Sequence, residues 1–187
     1  MLDEEKSSAF HLACQSPLVA ETTAVVEMLG TKEGALAQDD TGMTPLHVAA
    51  ANKHSTKALI KVLADINPKA AKMESSQNLM PLHLAIRNQV DESVTKSLFK
   101  MYPKAAKSVF EGENTVLHEA CRYKATPSVV KAMLKEFTEL AEAKNRYENL
   151  PLHIATAYQC HPEVVELLLA VYPEGALREN ISGDVPL

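Results

Sequence analysis

The stretch Thr44-Pro45-Leu46-His47-Val48-Ala49 decides how the rest of the sequence is interpreted, because related stretches return at a nearly constant spacing. The histidines of these stretches lie 36, 36, 35 and 35 residues apart along the chain. A fixed period of about 20–50 residues is typical of repeat proteins. The 187 residues are therefore interpreted as five repeats and the start of a sixth. The five histidines are His11, His47, His83, His118 and His153.

A second marker keeps the same phase as the histidines. Asn67-Pro68-Lys69-Ala70-Ala71, Tyr102-Pro103-Lys104-Ala105-Ala106 and Tyr172-Pro173-Glu174-Gly175-Ala176 each lie about two-thirds of the way through a repeat. Because two independent markers recur in the same register, the repeat pattern is not explained by chance. They predict a single array over residues 1–187, with repeats at approximately 1–37, 38–73, 74–108, 109–143 and 144–178 and a partial sixth at 179–187.

Each repeat has the pattern of two helices joined by a turn. The first helix is short and begins at a proline such as Pro45, which suits the first helical position because its missing N–H would be unpaired there. The second helix carries apolar residues at helical spacing, as in Val130, Met133, Leu134 and Phe137. No single repeat has enough apolar surface to fold alone, so neighbouring repeats must stack. The sequence predicts an all-α solenoid of helix-turn-helix repeats.

The block from Asp39 to Ala50, DDTGMTPLHVAA, resembles an ankyrin repeat and carries the T-P-L-H-x-A signature of that family. The resemblance implies loop or β-turn fingers between successive helix pairs. The period here is longer than the usual roughly 33 residues. The usual turn glycine is present as Gly42, whereas Glu113 and Glu148 replace it in two repeats. Glutamate does not readily adopt a left-handed backbone, so the turn conformation of those two fingers stays open.

Composition excludes several other classes of protein. The net charge of −5 argues against nonspecific electrostatic binding to nucleic acid. No stretch approaches the roughly 18 consecutive apolar residues of a membrane span, so no membrane association is expected. Three cysteines are too few for a disulfide scaffold and favour a reducing compartment. We expect an intracellular protein, cytoplasmic or nuclear.

The recurring histidines are not interpreted as metal ligands. Stacked helical layers lie about 8–10 Å apart, whereas zinc requires its donor atoms within about 2.1 Å. No catalytic motif appears, so the sequence predicts no cofactor, no metal and no enzymatic activity. The resemblance instead implies that the motif histidines and threonines bond the turns and tie adjacent fingers together. These structural residues are His11, Thr44, His47, His83, Thr115, His118 and His153.

The resemblance implies that a partner binds along the concave face, through the fingertips and the first helices. Side chains vary at these positions while the scaffold repeats, although ordinary solvated surface would look the same. Arginine and tyrosine are common hot-spot residues, and they concentrate in the third to fifth repeats. The predicted protein-binding residues are Asn52, Gln77, Arg87, Asn88, Glu111, Arg122, Tyr123, Arg146, Tyr147 and Tyr158.

The sequence therefore predicts a non-catalytic module that binds another protein, whose identity it does not specify. The alternative is the recognition segment of a larger enzyme, channel or signalling protein whose active part lies elsewhere. The sequence ends one position before the sixth histidine of the register would fall, at position 188. We expect either a monomeric array or part of a longer chain.

Overall fold

The computed structural model describes residues 9–186, apart from the side chains of residues 19–21, 29 and 111. Over that range ten α-helices form five consecutive pairs, and there is no β-strand beyond one isolated bridge between Val109 and Thr115. The first helices are α1 (Ala9–Gln15), α3 (Pro45–Ala51), α5 (Pro81–Arg87), α7 (Val116–Arg122) and α9 (Pro151–Ala157). The second helices are α2 (Val19–Leu29), α4 (Lys57–Ile66), α6 (Glu92–Met101), α8 (Pro127–Glu136) and α10 (Pro162–Val171). The predicted all-α fold of paired helices is confirmed.

Each second helix is followed by a short 3-10 helix, and three of these helices contain the second sequence marker. The tyrosine before the proline lies just outside the α-helix, as at Tyr102 and Tyr172, because a residue before proline is disfavoured in helical geometry. Small residues recur in these segments because they are buried there, as Ala70, Ala71, Ala105 and Ala106 are. The 3-10 helices that follow the second helices are Gly34–Leu36, Pro68–Lys72, Pro103–Lys107, Thr138–Ala141 and Pro173–Leu177.

The chain divides into two compact units, one ending at Tyr102 and the other beginning at Pro103. We call them the N-terminal unit and the C-terminal unit. In the N-terminal unit, α3 packs against α1 and α5, while α4 packs against α2 and α6. In the C-terminal unit, α7 packs against α9 and α8 against α10. Within each unit, helices that occupy the same place in successive repeats are therefore neighbours. A single array over residues 1–187 stays a prediction.

The core of each unit comes from the helical apolar pattern. In the C-terminal unit, Val130 and Met133 of α8 are fully buried, and Leu134 is 3% exposed. Leu117 on α7 is also fully buried, and α7 packs against α8. In the N-terminal unit, Leu59 and Leu63 stand one turn apart on α4 and are both buried. Burial of such a leucine contributes about 1.5–3 kcal/mol.

The open question about the fingers is resolved by backbone geometry. Glu113 and Glu148 have φ angles of 60° and 57°, close to the 58° of Asn78 in the third repeat. All three residues therefore adopt the left-handed conformation that Gly42 adopts at φ 73°. Hydrogen bonds within the finger close each turn, such as that from Glu148 N–H to the Asn145 carbonyl at 2.9 Å. The finger therefore keeps this turn conformation even at glutamate, for which left-handed backbone is energetically unfavourable.

The first helices of the last three repeats end in one common way. After α9, Gln159 is left-handed with φ 53°, and the N–H of Cys160 bonds the Ala155 carbonyl at 2.9 Å. A bond of this span beside a left-handed residue is the Schellman motif, which satisfies carbonyls at a helix end. It fixes the position of Cys160 relative to α9. The equivalent left-handed residues after α5 and α7 are Gln89 and Lys124.

Candidate protein-binding surface

The fingers of the C-terminal unit are held in place by the motif histidines. His118 lies in the first turn of α7, where its Nδ1 accepts the Thr115 N–H at 3.2 Å. Its Nε2 lies 2.9 Å from the main-chain carbonyl of Asn149 in the next finger. Because Nδ1 accepts a hydrogen bond, the proton of the neutral ring must be on Nε2, which donates to that carbonyl. One side chain thus connects two successive repeats.

The other motif histidines have related contacts. In the N-terminal unit, His47 Nε2 lies 2.9 Å from the Leu79 carbonyl, and the Thr44 hydroxyl lies 2.8 Å from its Nδ1. His83 accepts the Met80 N–H through Nδ1 at 2.8 Å. His11 and His153, the first and last of the set, each contact a main-chain carbonyl of the following finger. These contacts are His11 Nε2 to Met43 O at 2.9 Å and His153 Nε2 to Asp184 O at 3.2 Å.

Burial keeps two of these rings neutral. Desolvation lowers the pKa of His47 to about 4, against an ordinary value of 6.5, although the Leu79 carbonyl favours the charged form. Desolvation likewise lowers the pKa of His118 to about 4, opposed by the Asn149 carbonyl. Near neutral pH both imidazoles therefore remain uncharged, with one donor and one acceptor each.

Asparagine side chains connect neighbouring fingers of the C-terminal unit. Asn145 is 6% exposed, and its Oδ1 accepts the N–H groups of Tyr147 and Asn149 at 2.9 and 3.0 Å. Its Nδ2 donates to Asn114 Oδ1 of the preceding finger at 2.8 Å. The Arg146 N–H donates to the Gly112 carbonyl at 2.8 Å, so main chain also connects the two fingertips. This network presents the exposed side chains of Arg146 and Tyr147 at the fingertip.

Three predicted binding residues meet at the ends of α7 and α9. Arg122 is the last residue of α7, and its guanidinium carbon lies 5.9 Å from the ring centroids of both Tyr123 and Tyr158. Arg122 is exposed, Tyr158 is 41% exposed and Tyr123 is half-buried. A cation over an aromatic face within about 6 Å is attracted by about 0.5–1 kcal/mol at exposed sites. We call Arg122, Tyr123 and Tyr158 the Arg-Tyr cluster.

The predicted residues of the N-terminal unit occupy different settings. Asn52 donates through Nδ2 to the carbonyls of Cys14 and Ser16 at 3.0 and 3.1 Å, so its amide joins the end of α1 to the second repeat. Asn88 donates to the Leu84 carbonyl of its own helix at 2.9 Å. Gln77 is an exposed fingertip residue and Arg87 is half-buried at the end of α5. The side chain of Glu111, also predicted for binding, lies outside the described part of the chain.

An open groove in the N-terminal unit is lined in part by Asn52. It has a volume of about 510 Å³, and its lining includes the apolar residues Val48 and Ala51 of α3. Polar residues also line the groove, so it combines apolar contact with hydrogen-bonding capacity, as ligand sites commonly do. The other lining residues are Gln15, Asp39, Met43, Asn52, Lys53 and His54.

Some chemistry is absent from the part of the chain that the structure describes. No group of three or more histidine, cysteine, aspartate or glutamate side chains converges there as a metal site requires. None of the helices within residues 9–186 has the length and apolar character needed to cross a bilayer.

Sequence reasoning missed two features of the C-terminal unit. The first is the asparagine network, although Asn145 and Asn180, and likewise Asn114 and Asn149, are each separated by one 35-residue period. The second is the hydrogen bond from the Cys160 thiol to the Cys121 carbonyl, between residues that are 39 positions apart. Because that separation exceeds the period, comparing equivalent positions of successive repeats does not bring the two cysteines together.

Helix pairs connected by histidine-to-carbonyl bonds define a helical repeat protein, and comparison with known families specifies which kind. A family model described as ankyrin repeats (3 copies) matches residues 82–176, and one described as ankyrin repeat matches residues 41–71. The first match spans more than half of the chain, and the chain therefore belongs to the ankyrin repeat family. No curated protein matches it in sequence.

Solved structures share the fold. A chain in the structure of the Bd0816 predatory endopeptidase from Bdellovibrio bacteriovorus in complex with immunity protein Bd3460 is 20% identical, with a TM-score of 0.77, covering 96% of this chain and 89% of that chain. The human ASB11 ankyrin repeat domain is 23% identical, with a TM-score of 0.75 and coverage of 100% and 78%. The ankyrin repeat domain of Bcl-3, a member of the IkappaB protein family, is 18% identical, with a TM-score of 0.71 and the same coverage. The predicted ankyrin-like fold is confirmed.

Proposed function

We propose that this chain is a non-catalytic interaction module that binds another protein through the fingertips and first-helix ends on its concave face. Ankyrin repeats are a known protein–protein interaction module, which supports the general class of this activity. The observation that carries the finer proposal is the Arg-Tyr cluster, where Arg122 lies beside the rings of Tyr123 and Tyr158.

The chemistry of the Arg-Tyr cluster suits protein recognition. Arg122 forms no ion pair with any side chain that the structure describes, so its charge is available to a carboxylate of the partner. Tyrosines supply large contact areas at low conformational-entropy cost. Because the cluster is held together before binding, less ordering is needed during association. Tyr147, which is 56% exposed on the fingertip, adds a further aromatic side chain to the proposed surface.

The experiment begins by identifying a partner with the full chain as affinity bait and then measures its Kd with variants. Arg122→Glu reverses a charge in the Arg-Tyr cluster, and Lys131→Glu makes the same charge change on the exposed side of α8. We expect Arg122→Glu to weaken binding by at least about tenfold and Lys131→Glu by less than about twofold. The reverse ranking would place the partner on the second helices and overturn the proposal. Thermal unfolding of both variants checks that each remains folded.

An intracellular location, cytoplasmic or nuclear, is part of this proposal. Cys14, Cys121 and Cys160 are all free thiols, as expected of a protein in a reducing compartment. Fractionation of cells that express the full natural protein tests the location.

A further inference from the structure

Two cysteines from successive repeats meet in the C-terminal unit. The sulfur of Cys160 donates a hydrogen bond to the main-chain carbonyl of Cys121 at 2.8 Å. The two thiol groups also interact electrostatically, so that each changes the pKa of the other. The Schellman turn after α9 fixes the backbone of Cys160, and α7 fixes that of Cys121. Both residues are free cysteines in this structure, so the contact is a reduced dithiol.

The two thiols differ in access and acidity. Cys121 is fully buried, whereas Cys160 is half-buried and lies at the surface end of the pair. The Cys121 thiol stabilises the Cys160 thiolate and so lowers the pKa of Cys160, and the charge of Lys124 lowers it further. The same interaction between the thiols, together with burial, raises the pKa of Cys121 well above its ordinary value. Because the thiolate is the reactive form, Cys160 is the thiol that an external oxidant attacks first.

We propose that Cys121 and Cys160 form an oxidation site, at which a peroxide converts the dithiol into an intrachain disulfide between the fourth and fifth repeats. The Cys160 thiolate attacks one peroxide oxygen, so that an S–O bond forms, the O–O bond breaks and hydroxide leaves. The Cys121 sulfur then displaces the sulfenic hydroxyl, and its own proton leaves with that hydroxyl as water. In total two thiols and one hydrogen peroxide give one disulfide and two waters, a two-electron oxidation of the protein.

The third cysteine provides an internal control. Cys14 belongs to the N-terminal unit, is buried, and has a pKa raised by desolvation to about 12. It therefore has little thiolate near neutral pH and should stay reduced under conditions that oxidise the pair. The replacement Cys121→Ala suits the site, since Ala50 occupies the equivalent position three residues after its motif histidine.

The site lies next to the Arg-Tyr cluster along the chain. Cys121 directly precedes Arg122, and Cys160 follows Tyr158 by two residues. A disulfide would therefore covalently join the two segments that carry the cluster. An effect on partner binding rests on the proposed function, whereas the oxidation site itself does not.

The test treats the full chain with hydrogen peroxide near neutral pH, blocks remaining thiols with an alkylating reagent, and measures intact mass and disulfide-linked peptides. We expect the oxidised chain to take up one alkyl group where the reduced chain takes up three, with two hydrogen atoms (about 2 Da) lost from the pair. We also expect one peptide pair joining Cys121 to Cys160, and full reversal by a dithiol reductant. Cys14→Ala should retain this product, while Cys121→Ala and Cys160→Ala should each abolish it. Thermal unfolding confirms that the variants are folded.

Three outcomes would overturn the oxidation site. The first is Cys160 oxidised to sulfinic acid while Cys121 stays a free thiol. The second is a disulfide between two copies of the chain or one that includes Cys14. The third is retention of both thiols when Cys14 reacts. Each outcome is read from peptide masses and needs no binding partner, so failure here and failure of the proposed interaction surface are separate results.

Discussion

His118 Nε2 lies 2.9 Å from the main-chain carbonyl of Asn149, a residue 31 positions further along the chain. The opposite ring nitrogen accepts the Thr115 N–H at 3.2 Å. Only a neutral ring with its proton on Nε2 satisfies both groups, because the charged ring has no acceptor. One imidazole therefore connects the start of α7 to the finger of the following repeat, and its contribution depends on its charge state.

Replacing His118 with alanine should lower the free energy of unfolding by about 1–3 kcal/mol. The variant leaves the Asn149 carbonyl and the Thr115 N–H without this partner in a buried setting. The matched control is His54→Ala, since His54 is exposed, and it should change stability by less than about 0.5 kcal/mol. Urea unfolding followed by circular dichroism measures both. Equal effects of the two substitutions would contradict the structural role of the ring.

Acidification should destabilise the fold before the carboxylates titrate. The pKa of His47 and of His118 is lowered to about 4 in the folded chain, whereas the ordinary value is 6.5. Between these values the unfolded chain binds more protons, so stability is complete above about pH 6.5 and falls as the pH is lowered toward about 4. Each histidine contributes up to about 3 kcal/mol over the whole window.

Urea midpoints at several pH values between 7 and 5, at constant ionic strength, measure this dependence. The lowered pKa values of Asp39, Asp91, Glu139 and Glu148 start from ordinary values of 3.8 or 4.5, so these carboxyls act mainly at lower pH. His118→Ala should show a shallower decline than the unmodified chain. Midpoints that stay constant over this range would show that the rings are not kept neutral by folding.

Glycine should stabilise the chain at positions that hold left-handed backbone. Glu113 and Gln159 have φ angles of 60° and 53°, a conformation that costs residues with a Cβ about 1–2 kcal/mol. Glu113→Gly and Gln159→Gly remove that cost. Glycine loses more conformational entropy on folding, but this loss is smaller than the cost removed. Each substitution should therefore raise the free energy of unfolding by about 0.5–1 kcal/mol. Lys131→Gly, in the middle of α8, should instead lose about 1 kcal/mol. Thermal unfolding compares the three variants, and a loss at both left-handed positions would contradict the prediction.

The helical part of the fold could be predicted because it depends on local periodicity. Proline at the start of α9 and the apolar spacing of α8 locate their helices from sequence alone. The turn at Glu148 could not be settled this way, since propensity disfavours the conformation and the hydrogen bonds of the finger override it. For the candidate site, repeat geometry indicated that Arg122 is exposed. It did not indicate the contacts of Arg122 with two tyrosines, which depend on side-chain rotamers.

Asn145 provides a separate test of how the fingers are joined. Asn145→Ala removes the acceptor of the Tyr147 and Asn149 N–H groups and the donor to Asn114, which should cost about 2–3 kcal/mol. Asn145→Asp keeps the acceptor, as Asp39 does at the same place in the second repeat, where it accepts the Thr41 and Met43 N–H groups at 2.9 Å. The aspartate variant should therefore lose less stability than the alanine variant in urea unfolding, and its remaining loss measures the bond to Asn114. If the two variants lose the same amount, the turn is not held by the Oδ1 contacts, and main-chain bonds such as that from Arg146 to Gly112 must hold the fingers together.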